Sequence, residues 1–230
     1  MPRTRAVLLA LTSHEELGDT GRRTGFYLPE AAHPWRVLTD AGYQVDLMSV
    51  QGGRPPMDGQ DTSDPVQRAF LDDPRMADQL GNTRSPQSID PADYDAILYV
   101  GGHGTMWDFP GNARLAGIAR DIWEAGGAVA AVCHGPAGLL DITLSDGTHL
   151  IEGKNVAGFT DAEEDAVGLS DVVPFHLQTE LERRGAKHIG ADNFETHVVV
   201  DGRLVTGQNP ASATGVGQAL TMVLEGLGDK

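Results

Sequence analysis

The chain has 230 residues, of which 40% are hydrophobic, and a formal net charge of −16 from 33 acidic and 17 basic residues. This hydrophobic content argues against a disordered chain, and the negative charge argues against nucleic acid and anionic membranes as main partners. The single cysteine, Cys133, excludes an internal disulfide framework. With no signal-peptide cleavage site and no stretch of transmembrane length, we expect a cytoplasmic location.

The first half of the chain has the pattern of a strand–helix–strand unit. Short apolar runs at 6–11 and 45–50 predict buried strands, and the helical spacing of 28–41 predicts a helix between them that Gly42 ends. A third strand is predicted at 95–100, where it runs into Gly101. Such a unit predicts parallel strands joined by a crossover helix.

Residues 51–91 break this regular pattern, because Gly-Gly, Pro-Pro and Asp-Pro pairs recur through them. One short helix is expected within them, at about 66–80. We interpret this stretch as an insertion or cap on a single domain that spans 1–230, with the cap at about 51–91.

The second half predicts further alternation of strands and helices. The expected elements are a helix at 112–125, a strand at 127–132, a strand at 155–158, helices at 162–168 and 175–184, a hairpin at 197–206 that turns at Asp201-Gly202, and a last helix from Asn209-Pro210 to near Gly226. The expected fold class is therefore α/β, a flavodoxin-like sandwich with a mostly parallel central sheet and helices on both faces.

Cys133 lies where the predicted strand 127–132 ends and a helix is expected to start at Pro136. This arrangement is that of a nucleophile elbow, which lifts the side chain out of the sheet. A helix end and the neighbouring His134 imidazole are both expected to favour the thiolate. The alternative interpretation is a small buried hydrophobic residue.

Other polar motifs are expected to meet Cys133, because ligand sites of open α/β sheets lie beyond the carboxyl ends of the strands. These motifs are GGHG at 101–104, Gly158-Phe159-Thr160 running to Glu163-Glu164, and Glu30 in the first turn of the first long helix. By itself, Glu30 is better explained by complementing the helix dipole than by a catalytic role. Glu163 and Glu164 likewise resemble any solvated acidic helix start.

Five motifs, taken together, resemble the ThiJ/PfpI superfamily of the class I glutamine amidotransferase-like fold, and most of all its branch of heat-shock chaperones with glyoxalase III activity. They are TGFYLPEAAHP at 24–34, GGHG at 101–104, VCHGP at 132–136, IEGK at 151–154 and TGQNPAS at 206–212. They are spread in order over nearly the whole chain. The resemblance implies the fold just described and a cysteine-based site.

The resemblance also implies roles for individual residues. Cys133 would be the nucleophile and His134 its base, with Glu164 as the third member and Glu163 as the alternative. Glu30 resembles the family's acid that approaches the cysteine sulfur. The oxyanion hole is expected from the backbone amides of Gly102 and His134, and substrate binding from Gly101 and His103. Some relatives carry zinc, but no Cys/His spacing around His33 or His176 supports a metal site, and no cofactor is required.

The implied activity is a glutathione-independent glyoxalase of the glyoxalase III type, which converts methylglyoxal or a similar 2-oxoaldehyde to a 2-hydroxy acid through a covalent cysteine hemithioacetal. Alternatives are a cysteine amidohydrolase or peptidase, a deglycase, and a holdase chaperone or redox sensor with little catalysis. Glutaminases of this fold carry a late His-x-Glu pair, whereas this chain has Glu195-Thr196-His197. A homodimer is common among such relatives.

Overall fold

The computed structural model of the chain describes residues 5–227. Within them lie ten strands, which are β1 (Ala6–Leu11), β2 (Phe26–Tyr27), β3 (Gln44–Ser49), β4 (Met57–Asp58), β5 (Ala96–Tyr99), β6 (Ala128–Val132), β7 (Asn155–Val156), β8 (Lys187–His188), β9 (Val198–Asp201) and β10 (Leu204–Gly207). The α-helices of the same region are α1 (Leu28–Asp40), α2 (Pro65–Asp72), α3 (Pro74–Gly81), α4 (Thr105–Asp108), α5 (Ala113–Glu124), α6 (Asp161–Val167), α7 (Leu177–Arg183) and α8 (Ala213–Gly226).

Six strands form the central sheet, in the order β3–β1–β5–β6–β10–β9. All neighbours are parallel except β9 and β10, which form the antiparallel hairpin predicted around Asp201-Gly202. Every residue of β1 and β6 is buried, as expected of parallel strands whose two faces are both covered. The predicted α/β class and mostly parallel sheet are confirmed.

Helices flank this sheet. Helix α1 packs along α8, and α8 lies against β6 and β10, whereas α5 packs on β5 and β6. The sheet order places the carboxyl ends of β5 and β6 side by side. As a result, the loops that follow them, at Gly101 and at Cys133, meet at one edge.

Two predicted helices differ from what forms. The helix expected at 66–80 is split into α2 and α3, because Asp73, which precedes Pro74, takes an extended conformation and accepts hydrogen bonds from the first amides of α3. The segment after Cys133 is a 3₁₀ helix, Gly135–Leu139, rather than an α-helix. The short helix α4 was not predicted.

The strand expected at 155–158 also differs, because only Asn155–Val156 pairs, and it does so with β8 in a separate two-stranded sheet. Glu164 is therefore brought to the site by α6 and not by a strand of the central sheet.

Residues 51–91 contain β4, α2 and α3; their description as a cap on one domain stays a prediction. Among residues 5–227 no helix is long and apolar enough to cross a membrane.

Candidate active site

Cys133 follows β6 directly and has a backbone φ of 59°, a conformation that is uncommon and strained for a residue with a Cβ. The turn is held from both sides. The Cys133 amide donates to the Gly207 carbonyl over 2.9 Å, and its carbonyl accepts from the Phe159 amide over 2.9 Å. This is the predicted elbow, in which neighbouring backbone fixes a strained residue.

The elbow also determines where the ring of His134 lies. Adjacent side chains do not ordinarily face each other, yet His134 Nδ1 is 3.3 Å from the Cys133 sulfur. The opposite ring nitrogen, Nε2, lies 2.7 Å from Glu164 Oε2. A carboxylate at Nε2 assigns the ring proton to that nitrogen, which leaves Nδ1 free to accept the thiol proton.

Glu163 and Glu164 are adjacent in sequence but have different partners. Glu163 closes a capping box with Thr160 at the start of α6, and it accepts hydrogen bonds from the Phe194 amide and from Asn209 Nδ2, each over 2.8 Å. Glu164 contacts His134. The geometry therefore makes Glu164, the residue favoured by spacing, the third member of a Cys–His–Glu chain and gives Glu163 a structural task.

The charge states of this chain follow from burial and hydrogen bonding. Burial, reinforced by the nearby His103, lowers the pKa of His134 to about 4, although Glu164 opposes this effect. Burial disfavours the charge of Glu164, but hydrogen bonds from His103 and His134 outweigh it and lower its pKa to about 2. Near neutral pH the chain is thus a neutral imidazole held by an ionised carboxylate.

Glu30 lies in the first turn of α1 and is completely buried. Burial raises the pKa of its carboxyl to about 8, and the adjacent Cys133 thiol and Gly101 amide offset this only in part. Neither carboxyl oxygen makes a hydrogen bond of regular geometry with a described residue. A carboxyl that is neutral at pH 7 has no charge to complement the helix dipole, so the helix-dipole explanation of Glu30 does not hold.

Cys133 is 4% exposed. Burial raises the pKa of its thiol, and the neighbouring Glu30 carboxyl raises it further, whereas the His134 amide acts in the opposite direction. The expectation that a helix end and an imidazole favour the thiolate is therefore wrong for the resting site. The 3₁₀ turn offers no long helix dipole, and the imidazole is neutral. Cys133 therefore rests as a thiol, with Nδ1 of the neutral His134 ring 3.3 Å from its sulfur.

Gly101 and Gly102 allow very close approach of other groups. A Cβ on Gly101 would lie 2.2 Å from Glu30 Oε2, and one on Gly102 would lie 2.2 Å from the Gly25 carbonyl oxygen. Gly102 has a φ of 105°, which favours glycine. The Gly102 amide thus has no acceptor among the described residues, 5–227, and the His134 amide is directed at the sulfur.

Three aromatic residues to which sequence reasoning gave no role also lie at the site. Burial, Glu30 and Cys133 together raise the pKa of the Tyr27 phenol, so this half-buried hydroxyl keeps its proton. The ring of Phe159 is 4.4 Å from that of His134 and 6.4 Å from that of Phe194. Phe194 is 48% exposed and has a φ of 64°. Its strained, exposed backbone position has no signal in the sequence.

His103, for which substrate binding is expected, contacts the third member of the Cys–His–Glu chain. Its Nε2 lies 2.8 Å from Glu164 Oε1, the carboxyl oxygen that His134 does not use. Possible metal-ligand atoms of His103, His134 and Glu164 lie within 4.8 Å of one another, a set that the sequence spacing did not indicate. His33 and His176 lie in other hydrogen-bonded groups, with Asp64 and with the Ser170 carbonyl.

An open cleft of about 1060 Å³ lies elsewhere, between residues 13–24 and the stretch 51–81. Thr24, Arg54 and Asp58 are among the residues that line it, and Cys133 is not. Its walls combine charged groups of both signs with no cysteine. This cleft therefore offers no thiol nucleophile of the kind that Cys133 provides.

The chain is similar to known proteins over most of its length. The chain is 37% identical to "Glyoxalase 3" of Candida albicans over 226 residues, which cover 90% of this chain and 93% of that protein. It is 35% identical to "Glutathione-independent glyoxalase HSP31" of Saccharomyces cerevisiae over 227 residues, 91% of this chain and 93% of that one.

Two solved structures are similar over nearly their whole length. The Rapid Encystment Protein of 24 kDa from Francisella tularensis superposes with a TM-score of 0.93 at 37% identity, covering 96% of this chain and 99% of that one. Glyoxalase III from Candida albicans superposes with a TM-score of 0.88 at 33% identity, covering 96% and 98%. The model of the DJ-1/PfpI family matches residues 23–221. The chain therefore belongs to the DJ-1/PfpI family.

Proposed function

We propose that this protein is a glutathione-independent glyoxalase that converts methylglyoxal, or a similar 2-oxoaldehyde, to the 2-hydroxy acid. The observation that carries the proposal is the buried chain Cys133–His134–Glu164, with the protonated carboxyl of Glu30 beside the sulfur. Together these residues supply a nucleophile, a neutral base and a carboxyl of raised pKa, the groups that thiol addition and proton transfer use. Two relatives that cover nine-tenths of the chain are named as enzymes of this kind.

The first step is addition of sulfur to the aldehyde carbon. His134 Nδ1 takes the thiol proton as the carbon–sulfur bond forms, and Glu164 stabilises the imidazolium that results. The aldehyde oxygen becomes an oxyanion and receives hydrogen bonds from the Gly102 and His134 amides. The oxyanion then takes the proton of the neutral Glu30 carboxyl, which becomes a carboxylate, and the hemithioacetal results.

In the second step a proton moves from C1 to C2. A base removes the C1 proton, the electron pair forms an enediol, and the proton returns at C2 to leave a thioester of Cys133. Glu30 and His134 both lie next to the sulfur and are both candidates for this base. Glu30 is neutral at pH 7, so it can be this base only after it has given its proton to the oxyanion. As a carboxylate of raised pKa it is then a stronger base than an ordinary carboxylate. The Tyr27 phenol, which interacts electrostatically with Glu30 and Cys133 and keeps its proton, is the candidate donor to the C2 oxygen.

In the last step water adds to the thioester and the carbon–sulfur bond breaks. The sulfur recovers a proton, the 2-hydroxy acid leaves, and one water is consumed for each 2-oxoaldehyde. With methylglyoxal the product is lactate. No oxidant or reductant is needed, because C1 is oxidised as C2 is reduced within one molecule.

The test is lactate formation from methylglyoxal by the purified protein in glutathione-free buffer, beside Cys133→Ala and Cys133→Ser. The proposal expects turnover in the natural protein and loss of it in both variants. Substantial turnover by Cys133→Ser would contradict the covalent scheme.

Absence of turnover in every protein would direct attention to the other cysteine hydrolase activities or to a chaperone. A chaperone would be supported if Cys133→Ala suppresses aggregation of a client protein as well as the natural protein does, because holding depends on apolar surface and not on the thiol. As part of the same proposal, the protein acts in the cytoplasm. It is also proposed to be a homodimer, and light scattering of the purified chain would test this oligomeric state.

A further inference from the structure

Glu164 is shared by two imidazoles, and only one of them contacts the cysteine. His134 Nε2 lies 2.7 Å from Oε2, and His103 Nε2 lies 2.8 Å from Oε1. The side chain of His134 has no exposed area, that of Glu164 is 4% exposed and that of His103 is 20% exposed. The second imidazole therefore lies between the buried carboxylate and the outside.

From this arrangement we propose that His103 is a positioning residue, which fixes the Glu164 carboxylate through Oε1 so that Oε2 can hold His134 in the tautomer with a free Nδ1. A carboxylate with one donor can rotate about its terminal bond, whereas one with a donor on each oxygen cannot do so without losing a hydrogen bond. The orientation of His134 then depends on a residue that does not contact the sulfur. This inference rests on the proposed function, since it concerns the base of that reaction.

The surroundings of His103 fix it in turn. It lies in the turn between β5 and α4, where the Met106 amide donates to its carbonyl over 3.0 Å. Its ring centroid is 4.0 Å from that of His134 and 6.1 Å from that of Phe159, with which it makes a T-shaped contact. The ring is thus packed against two site residues and has little freedom to leave Glu164.

A merely pocket-lining His103 would behave differently from a positioning one. Loss of a substrate contact raises KM, whereas loss of positioning lowers kcat. We expect His103→Ala to lower kcat about 10- to 100-fold with little change in KM, by analogy with other residues that orient a catalytic ligand from behind it. We expect His103→Gln to recover much of this loss, because its amide can donate to Oε1.

A double variant shows whether His103 acts through Glu164. If it does, His103→Ala adds little to the loss already caused by Glu164→Gln, because effects of residues that act as a unit are not additive. Full multiplication of the two losses would overturn the proposal. The matched control is His33→Ala, which removes another histidine–carboxylate pair, 2.8 Å from Asp64, and is expected to leave kcat unchanged.

The deciding readout needs no turnover. Nitrogen-15 NMR of the histidine rings reports the tautomer of His134 in the protein without substrate. The expected result is a protonated Nε2 and a free Nδ1 in the natural protein and in His103→Gln, with a mixture of tautomers in His103→Ala. An unchanged His134 spectrum in a folded His103→Ala would overturn the positioning role even if the glyoxalase proposal holds. Altered tautomers without any glyoxalase turnover would leave the positioning intact and overturn only the proposed reaction.

Discussion

Replacing Glu30 by Gln should stabilise the fold in a way that depends on pH. The folded state holds this carboxyl neutral up to about pH 8, whereas the ordinary pKa is 4.5. Between these values the folded chain binds more protons than the unfolded chain, so its stability falls as the pH rises. Glu30→Gln has no carboxyl to titrate, and it escapes this loss.

The size of the effect follows from the distance between the working pH and the ordinary pKa. At pH 7 the carboxyl is kept neutral two and a half pH units above 4.5, which costs about 3 kcal/mol at about 1.4 kcal/mol per unit. At pH 4 both states are mostly protonated and the cost disappears. The expected gain of Glu30→Gln is therefore about 3 kcal/mol larger at pH 7 than at pH 4.

Urea unfolding of the natural protein and of Glu30→Gln at the two pH values measures this difference. Glu225→Gln is the matched control, because Glu225 is an exposed carboxyl on α8. A gain that is the same at pH 4 and pH 7, or that Glu225→Gln reproduces, would refute the account of Glu30 as a buried, neutral carboxyl. The same variant should lose glyoxalase turnover by about 100-fold or more, as for removal of a general acid–base group.

The remaining predictions concern the other site residues. The profile of kcat/KM against pH should be bell-shaped. It should fall below about pH 4, where His134 gains a proton, and above about pH 8, where Glu30 loses one. A flat profile across pH 8 would contradict a catalytic role for the protonated Glu30 carboxyl. Glu164→Gln should abolish most turnover and keep the fold. Glu163→Gln disturbs the capping box and the hydrogen bonds from Phe194 and Asn209, so it should cost about 2–4 kcal/mol of stability in thermal unfolding. Equal effects of the two variants on kcat would refute a catalytic Glu164 beside a structural Glu163. Gly102→Ala should lower kcat about 100-fold or more, because the new Cβ clashes with the Gly25 carbonyl oxygen and displaces the proposed oxyanion donor. An unchanged kcat would show that this amide takes no part in the mechanism.

The sequence predicts the parts of the fold that depend on local pattern. The strand before Cys133, the turn after it and the hairpin at Asp201-Gly202 are short-range features with their own signals. The sequence also contains a signal for the break between α2 and α3, because Asp73 precedes a proline. The prediction of a single helix was wrong because it relied on the apolar spacing and disregarded the extended conformation that a residue before proline prefers.

The properties of the site that sequence could not supply depend on three-dimensional burial. A thiolate was expected at Cys133 from its neighbours in the chain, but Glu30, far away in sequence, lies beside it and raises its pKa together with burial. The contact between His103 and Glu164 spans 61 residues, and no spacing rule connects them. Likewise, the φ of 59° at Cys133 decides where His134 points.

Central to this account is conversion of a 2-oxoaldehyde at Cys133, and one NMR time course tests it most directly. Carbon-13-labelled methylglyoxal is incubated with the natural protein and, in parallel, with Cys133→Ala, in buffer that contains no glutathione. The account predicts that the aldehyde signals are replaced by those of lactate only with the natural protein. Lactate at the same rate from Cys133→Ala, or an unchanged methylglyoxal spectrum with the natural protein, would contradict it.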